Sequence, residues 1–307
     1  MKALVTGGAG FIGSHICEEL IRRGDYVICY DNLLTGKIEN VKHLRRSRNF
    51  RFVHADVLDT EILDYYMQGV DIVFNQMASK KSVCEKSPID DCSINAGGTL
   101  NVLLSMVRNG VKKIVHASTG SVYGEVGGQI TEFTPQNPVS YYGVSKLAGE
   151  KYVAAFADLH GIQYTILRYF HVYGERQDSS SYGGVIPIFI RQALDGEPLT
   201  IHGDGEQVRS FTYVLDVVYA NMYGASHLEN KIYNCASGIT VSVNDMADMI
   251  RNSLGDTGTL ELPTLLGDVK NFDINNTLIK FDYNMNFTIF VEGLERTIEH
   301  YAALRSN

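Results

Sequence analysis

The chain has 307 residues, 45% hydrophobic and 20% charged, which is typical of a globular protein of one large or two smaller domains. A formal net charge of -8 makes a nucleic-acid-binding surface unfavourable. The five cysteines are odd in number and lack CxxC spacing, so we expect no disulfide framework and no metal site. Since no apolar run is long enough to span a membrane or form a signal peptide, we expect a cytoplasmic protein.

Short apolar runs alternate with longer amphipathic segments through the first half of the chain. Nearly continuous apolar character in the short runs is typical of parallel strands covered on both faces, and the longer segments have helical periodicity. This order predicts an α/β fold with a doubly wound parallel sheet. The predicted strands are 3–5, 26–30, 50–53, 71–74, 113–116 and 163–167, and the predicted helices are 12–23, 60–68, 93–109 and 140–158.

Three glycines at intervals of three, Gly7, Gly10 and Gly13, follow the first predicted strand. Gly7 permits a tight turn, Gly10 lets a pyrophosphate approach the backbone, and Gly13 lets the next helix pack closely on the strand. The start of that helix offers free amide groups to phosphates. The strand–turn–helix context therefore predicts a Rossmann-type dinucleotide-binding domain, which we assign to residues 1–170.

Acidic residues after the second and third strands indicate which dinucleotide binds. Asp31 follows Gly13 by eighteen residues, where a carboxylate can bond ribose hydroxyls, and no Lys or Arg at 32–34 would hold a 2′-phosphate. NAD is therefore favoured over NADP. Asp56 could bond the adenine amino group; the alternatives are that Asp31 caps a helix and that Asp56 is an ordinary loop residue. The predicted NAD-binding residues of this region are Gly7, Gly10, Phe11, Ile12, Gly13, Asp31, Asn32, Asp56 and Val57.

The sequence pattern changes after residue 170. Loops rich in Gly, Ser and Asp appear at 178–184 and 202–205. We predict a smaller α/β lobe over 171–307 that binds the substrate, with part of 211–236 returning to the first domain. Further helical patterns lie near 185–194, 243–254 and 288–304.

Tyr142 and Lys146 are four residues apart, so they share one face of a predicted helix. A nearby ammonium favours phenolate and would lower the pKa of Tyr142 toward the range of a general base. This spacing is common by chance and proves little alone. The neighbouring Tyr141 does not fit it, since Ser145 stands four places further on.

Together these motifs resemble the extended short-chain dehydrogenases/reductases, and in particular their NAD-dependent nucleotide-sugar epimerase/dehydratase branch. The resemblance covers nearly the whole chain. It implies a nucleotide-sugar substrate, and a homodimer formed through the helices near 93–109 and 142–158. Further segments that match the branch are 118–124, 167–174, 203–205 and 209–214.

The resemblance also implies roles for individual residues. Tyr142 would remove a proton from a sugar hydroxyl, Thr119 would share that proton, and Lys146 would hold the nicotinamide ribose. Asn95 matches an asparagine near the cofactor, and Lys80 would reach its phosphates or ribose. The implied substrate-binding residues are Thr119, Ser121, His171, Arg209 for the diphosphate, and Asp268 for the nucleotide ribose.

Three departures from the family pattern bear on cofactor and substrate binding. Residues 75–80 read Asn-Gln-Met-Ala-Ser-Lys where the family often has a His-Leu-Ala-Ala-like segment. His171 replaces an asparagine that usually touches the substrate, although it could simply be satisfied within its loop. Leu265 replaces an arginine, so one diphosphate contact is expected to be missing.

A fourth departure bears on the reaction. Dehydratases and sugar-acid decarboxylases of this kind carry an acidic residue just after the catalytic threonine, where this chain has Gly120 and Ser121. We therefore predict a UDP-sugar 4-epimerase that oxidises and re-reduces C4. The alternatives are a 4,6-dehydratase or another NAD-dependent sugar-nucleotide enzyme. A non-catalytic NAD-sensing regulator is disfavoured because Tyr142 and Lys146 are both present.

Overall fold

The computed structural model describes residues 1–79, 84, 86–180, 183–264 and 273–305. The first part of the chain alternates strands and helices, as the sequence predicts. In chain order these elements are β1 (Lys2–Thr6), α1 (Phe11–Arg22), β2 (Tyr26–Asp31), β3 (Phe50–His54), α2 (Thr60–Met67), β4 (Ile72–Asn75), α3 (Pro88–Cys92), α4 (Gly98–Arg108), β5 (Lys113–Thr119), α5 (Tyr141–His160) and β6 (Gln163–Tyr169).

The remaining elements are shorter and include several paired strands. They are β7 (Val172–Tyr173), α6 (Val185–Asp195), β8 (Leu199–His202), β9 (Val208–Ser210), β10 (Thr212–Tyr213), α7 (Val214–Ser226), β11 (Lys231–Cys235), β12 (Thr240–Ser242), α8 (Val243–Leu254), β13 (Thr259–Leu262), α9 (Thr277–Tyr283) and α10 (Phe290–Arg305).

The central sheet has seven strands in the order β11-β6-β5-β4-β1-β2-β3, and β1 to β6 run parallel. The chain winds outward from β1 to β3, then returns past β1 to β4 and continues to β6. This is the predicted doubly wound α/β arrangement, and it is confirmed. In such sheets ligands bind at the carboxyl ends of the strands, where the winding direction reverses between β1 and β4.

The core of the sheet consists of the apolar strand residues that the sequence pattern identified. Each of the central strands contributes a side chain that is wholly or almost wholly buried, because both faces of the parallel sheet are covered. One residue each from β1, β2, β4, β5 and β6 illustrates this cluster: Leu4, Ile28, Val73, Ile114 and Ile166.

The structure differs from the prediction at the helix expected over 93–109. One turn of π-helix, Ser93–Gly97, precedes α4, and the short α3 lies just before it. A π turn takes an extra residue and redirects the side chains it carries. The sequence pattern also missed a 3-10 helix over Ile38–Arg46.

The chain forms two compact units. The first consists of Met1–Glu125, Glu132–Tyr169 and Val217–Asn234, and the second of Val126–Thr131, Phe170–Asp216 and Cys235–Asn307. The segment that returns to the first unit is shorter than the 211–236 of the sequence analysis. No helix in the described ranges is both long enough and apolar enough to span a membrane.

Candidate active site

The glycine turn after β1 has no room for side chains. Gly7 has a φ of 63°, which favours glycine, and a Cβ there would lie 2.9 Å from Met77 Cα. A Cβ on Gly13 would lie 2.2 Å from Gly7 O. α1 begins at Phe11 with no capping side chain and no acidic residue in its first turn, so its first amides are open to an anion.

Asp31 is held beside this turn at the end of β2. Its Oδ2 accepts a hydrogen bond of 2.9 Å from Ala9 N, and its Oδ1 accepts one of 2.8 Å from Leu33 N. Desolvation raises the pKa of Asp31, and the two backbone hydrogen bonds oppose that shift. Asp31 caps none of the described helices, so the helix-cap interpretation is wrong.

A cleft opens at the carboxyl ends of β1 to β4 within the first unit. Its lining includes all nine NAD-binding residues predicted between Gly7 and Val57. The sequence analysis missed other lining residues of the cleft. Those that follow β3 and β4 could have been inferred, because both strands were predicted and ligands bind at the carboxyl ends of parallel strands. The additional lining residues are Tyr30, Leu34, Thr35, Ala55, Gln76, Met77, Ala78, Ser79 and Ile94.

This cleft fits a dinucleotide. The bare backbone at Gly10 and Gly13 would lie against a pyrophosphate, and the first amides of α1 would meet its charge. Asn32 Nδ2 donates to Asp56 Oδ2 over 2.7 Å, which links the ends of β2 and β3 in the part of the cleft near Asp31. Lys80, the other proposed phosphate or ribose contact, lies outside the described residues.

The Tyr142–Lys146 pair lies on the first turns of α5. Ser140 caps this helix by accepting a 3.1 Å hydrogen bond from Gly143 N. Tyr141 is 62% exposed, whereas Lys146 is 2% exposed. The helix thus directs Lys146 into the protein and leaves Tyr141 at the surface.

Burial dominates the electrostatics of this pair. Desolvation raises the pKa of Tyr142 to about 12, and Asp91 and Cys84 add to that shift. Desolvation lowers the pKa of Lys146 to about 8, although Glu150 and Asp91 oppose that shift. The expected lowering of the Tyr142 pKa is therefore wrong for the protein by itself, because desolvation of the phenolate outweighs any attraction to Lys146.

Thr119 ends β5 and caps the 3-10 turn Gly120–Val122. Its Oγ1 accepts a hydrogen bond from Ser121 N and donates one to Ser121 Oγ, both 3.2 Å. This turn contains no carboxylate. The next acidic residue, Glu125, is exposed.

Asn95 lies in the π turn and is occupied by protein partners. Its Nδ2 contacts Ser79 Oγ, Asp91 Oδ1 and Ser145 Oγ at 3.0, 3.0 and 2.9 Å, and its Oδ1 accepts from Ser79 N over 2.9 Å. Asn95 does not line the cleft. The contacts indicate that it ties α5 to the loop after β4.

The unusual segment after β4 is likewise built into the protein. Asn75 accepts a 2.6 Å hydrogen bond from Thr6 Oγ1, and its Nδ2 lies 3.0 Å from His116 Nδ1. Gln76 lines the cleft and donates to Asn221 Oδ1 over 2.9 Å. These polar residues therefore satisfy one another beside the cleft.

In the second unit, His171 and Arg209 belong to neighbouring segments. Arg209 lies on β9, and His171 precedes β7 with a φ of 38° and its ring edge-on to Phe211 at 6.1 Å. Desolvation, together with the charge of Arg209, lowers the pKa of His171 to about 4. A positive φ suits asparagine and is tolerated by histidine, which explains why His can replace Asn at this position. Leu265 and Asp268 lie outside the described residues.

Comparison with known proteins shows the family of this chain. Residues 3–236 match the model of the NAD dependent epimerase/dehydratase family. The chain belongs to this family. Solved members of similar structure include nucleotide-sugar enzymes with NAD bound, and the chain is accordingly an NAD-dependent enzyme of this family.

Three relatives show the range of activities among similar proteins. A Methanocaldococcus jannaschii protein described as a candidate UDP-glucose 4-epimerase is 43% identical over 261 residues, which is 83% of each chain. The Thermotoga maritima UDP-glucose 4-epimerase, solved with UDP-glucose, has a TM-score of 0.94 and 35% identity over 99% of this chain and 100% of its own. The Streptomyces venezuelae dTDP-glucose 4,6-dehydratase, solved as a double mutant with NAD, has a TM-score of 0.93 and 28% identity over 100% of this chain and 98% of its own.

Proposed function

We propose that the protein is a UDP-sugar 4-epimerase, in which the first unit binds NAD and the second binds the sugar nucleotide. The observation that carries this proposal is the turn after Thr119, where Gly120 and Ser121 supply no carboxylate. Elimination of water across C5 and C6 needs an acid and a base at that step. Because the turn after Thr119 offers no carboxylate for that step, we propose that the site moves hydrogen at C4 only.

The proposed mechanism uses three residues of the first unit. The cleft of the first unit would hold NAD, which would supply the hydride chemistry needed to oxidise and re-reduce C4. Tyr142 removes the proton of the C4 hydroxyl, and Thr119 shares that proton through a hydrogen bond. Lys146 holds the nicotinamide ribose and stabilises the phenolate of Tyr142. After the 4-keto sugar rotates, Tyr142 returns the proton to O4.

The cofactor and substrate contacts are proposals on the same basis. Asp31 takes the ribose hydroxyls, and the turn from Gly7 to Gly13 takes the pyrophosphate. Arg209 pairs with the diphosphate of the substrate, since a guanidinium matches phosphate geometry. His171, with its lowered pKa, meets the substrate as a neutral ring at neutral pH.

The experiment is incubation of the purified protein with UDP-glucose, UDP-N-acetylglucosamine and UDP-glucuronate in separate reactions. We expect one or more to give a product of unchanged mass whose proton NMR spectrum shows inversion at C4. A mass loss equal to one water would instead identify a dehydratase. A loss equal to carbon dioxide from UDP-glucuronate would identify a decarboxylase.

We also propose a homodimer formed through α4 and α5. These helices carry apolar side chains that the first unit leaves exposed, and a second copy would remove them from water. Leu103 is not one of them, because it lies in the core. The exposed apolar residues of the two helices include Leu104, Val144, Tyr152 and Leu159.

A further inference from the structure

Asp91 is a buried carboxylate that the proposed mechanism does not use. It lies on α3, and its side chain is 0% exposed. Its Oδ1 accepts hydrogen bonds from Ser79 Oγ and from Asn95 Nδ2, and its Oδ2 accepts one of 2.6 Å from Ser145 Oγ. All three donors are neutral. In the described part of the chain, no cationic group lies within ion-pair distance of it.

Such a charge requires compensation, because removing an ion from water costs several kcal/mol. Within the part of the chain that the structure describes, four ionisable side chains are buried around α5: Glu150, Arg168, Lys146 and Asp91. Arg168 and Glu150 neutralise each other through two hydrogen bonds, from Nη2 to Oε2 over 2.7 Å and from Nε to Oε1 over 2.9 Å. Among the described residues this leaves the ammonium of Lys146 and the carboxylate of Asp91 without an ion pair, although Glu150 also favours that ammonium, and more strongly than Asp91 does.

Other titratable groups near the pair do not supply the missing charge. His116 on β5 is neutral because desolvation, and then the charge of Lys146, lower its pKa well below the usual value. Of the described residues, Tyr142 and the thiol of Cys84 also face this region, and burial raises the pKa of Tyr142. Lys146 itself makes no hydrogen bond to the described residues.

Ser145 links Asp91 to the turn of α5 that carries Lys146. It precedes Lys146 on α5, donates to Asp91 Oδ2, and also contacts the carbonyl oxygen of Tyr142 over 3.1 Å. We propose that Asp91 is the counter-charge of Lys146, and that through Ser145 it fixes the turn of α5 that carries Tyr142 and Lys146. Asp91 is thus a positioning residue, and only the importance of Lys146 to turnover rests on the proposed function.

The charge of Asp91 then acts on both members of the pair. It favours the ammonium of Lys146 against desolvation, and it disfavours the phenolate of Tyr142. In Asp91→Asn, whose side chain has nearly the same shape, we expect the pKa of Lys146 to fall by about one unit, as expected for loss of a nearby opposite charge. About half of the Lys146 side chains would then be neutral at pH 7.

The first test is NMR titration of the full chain carrying [ε-¹³C]lysine, with the Lys146 signal assigned from the spectrum of Lys146→Met. We expect a midpoint near 8 in the unmodified protein and a lower one in Asp91→Asn. Asp90→Asn is the matched control, since it removes an equal charge from the adjacent, exposed position. Equal midpoints in Asp91→Asn and the unmodified protein would overturn the proposal. The measurement needs no substrate, so its result is independent of the reaction assigned to the enzyme.

The second test is a double-mutant cycle of thermal unfolding, which separates charge compensation from general damage. Asp91→Asn should lower the melting temperature less in Lys146→Met than in the unmodified protein. Folding of Asp91→Asn only in the Lys146→Met background would support the same conclusion. Equal losses in both backgrounds, or failure to fold in both, would contradict it.

Discussion

At the scale of single residues, the site combines groups whose burial works against their charged forms. Burial moves the pKa of Tyr142 up to about 12 and that of Lys146 down to about 8. The attraction between the two side chains therefore does not by itself give either of them the charge that catalysis requires. Asp91 favours the ammonium of Lys146, whereas the phenolate of Tyr142 would need the cationic ring of bound NAD.

We expect Tyr142→Phe to lose turnover by about 10²- to 10⁴-fold, the usual contribution of a general acid–base group. NAD should remain bound, because the phosphate contacts lie at the glycine turn rather than at the phenol. The measurements are the epimerisation rate and the NAD released from denatured protein. A variant with a nearly normal rate would show that another residue is the base.

The lowered pKa of Lys146 also predicts a pH-dependent stability. Below about pH 8 both the folded and unfolded chains carry the proton, and the folded chain bears the cost of burying it. Between about 8 and 10.5 the folded chain releases this proton first, so the contribution of Lys146 to stability rises with pH.

We therefore expect the stability of the unmodified protein to rise relative to that of Lys146→Met as the pH increases from about 8 to 10.5. Urea unfolding of both proteins across this range gives the difference directly. A constant difference would show that Lys146 has the same pKa in the folded and unfolded chains.

At the scale of elements, the glycine turn and the first turn of α1 act as one unit. Position 13 cannot carry a side chain, because Gly13 packs against the carbonyl of Gly7. The same close packing places the open amides of α1 at the end of β1. The winding direction of the chain reverses there, between β1 and β4. A change in this backbone should therefore affect cofactor binding before it affects the rest of the sheet.

Gly13→Ala tests this element, because the added Cβ would lie 2.2 Å from Gly7 O and the turn would have to shift. We expect loss of most bound NAD, measured as cofactor content after purification and by titration with NAD. Gly127→Ala is the control, since a Cβ there meets nothing within 4 Å. Normal NAD content in Gly13→Ala would show that the turn tolerates a side chain.

At the scale of the whole molecule, we propose that the first unit binds NAD and the second binds the sugar nucleotide. The first contains the NAD cleft and the Tyr142–Lys146 pair, and the second contains His171 and Arg209. The first unit also carries the exposed apolar residues of α4 and α5, including Leu104, which is 39% exposed. Burial of these residues against a second copy would be favourable because it removes apolar surface from water.

Light scattering should therefore give the mass of a dimer at micromolar protein concentration. Leu104→Lys together with Val144→Lys should shift the protein toward the monomer, because both positions are exposed in the single chain. Glu61→Lys on α2 is the control for added positive charge at another exposed position. A monomeric mass for the unmodified protein would contradict the proposed assembly.

Features that depend on local sequence could be predicted without a structure. Strand and helix positions follow from apolar periodicity, and a glycine turn between a strand and a helix has few other uses. For this reason the doubly wound parallel sheet, and the grouping of Gly7, Gly13 and Asp31 around one cleft, agree with the sequence analysis. The Tyr142–Lys146 spacing was equally readable, since helix geometry alone puts the two residues on one face.

Other features required the tertiary structure, because they join residues that are distant in sequence. Asp91 had no recognisable motif, and it matters only because folding brings it to Ser145, which lies 54 residues away. The role of Asn95 near the cofactor stays a prediction, and only the structure shows that its side chain bonds to Ser79, Asp91 and Ser145. The pKa of Tyr142 was predicted with the wrong sign, since spacing reveals a neighbouring charge but not the loss of solvent. The sequence by itself thus determined which groups stand beside one another along each element, and the packing of those elements decided their solvation and their charge balance.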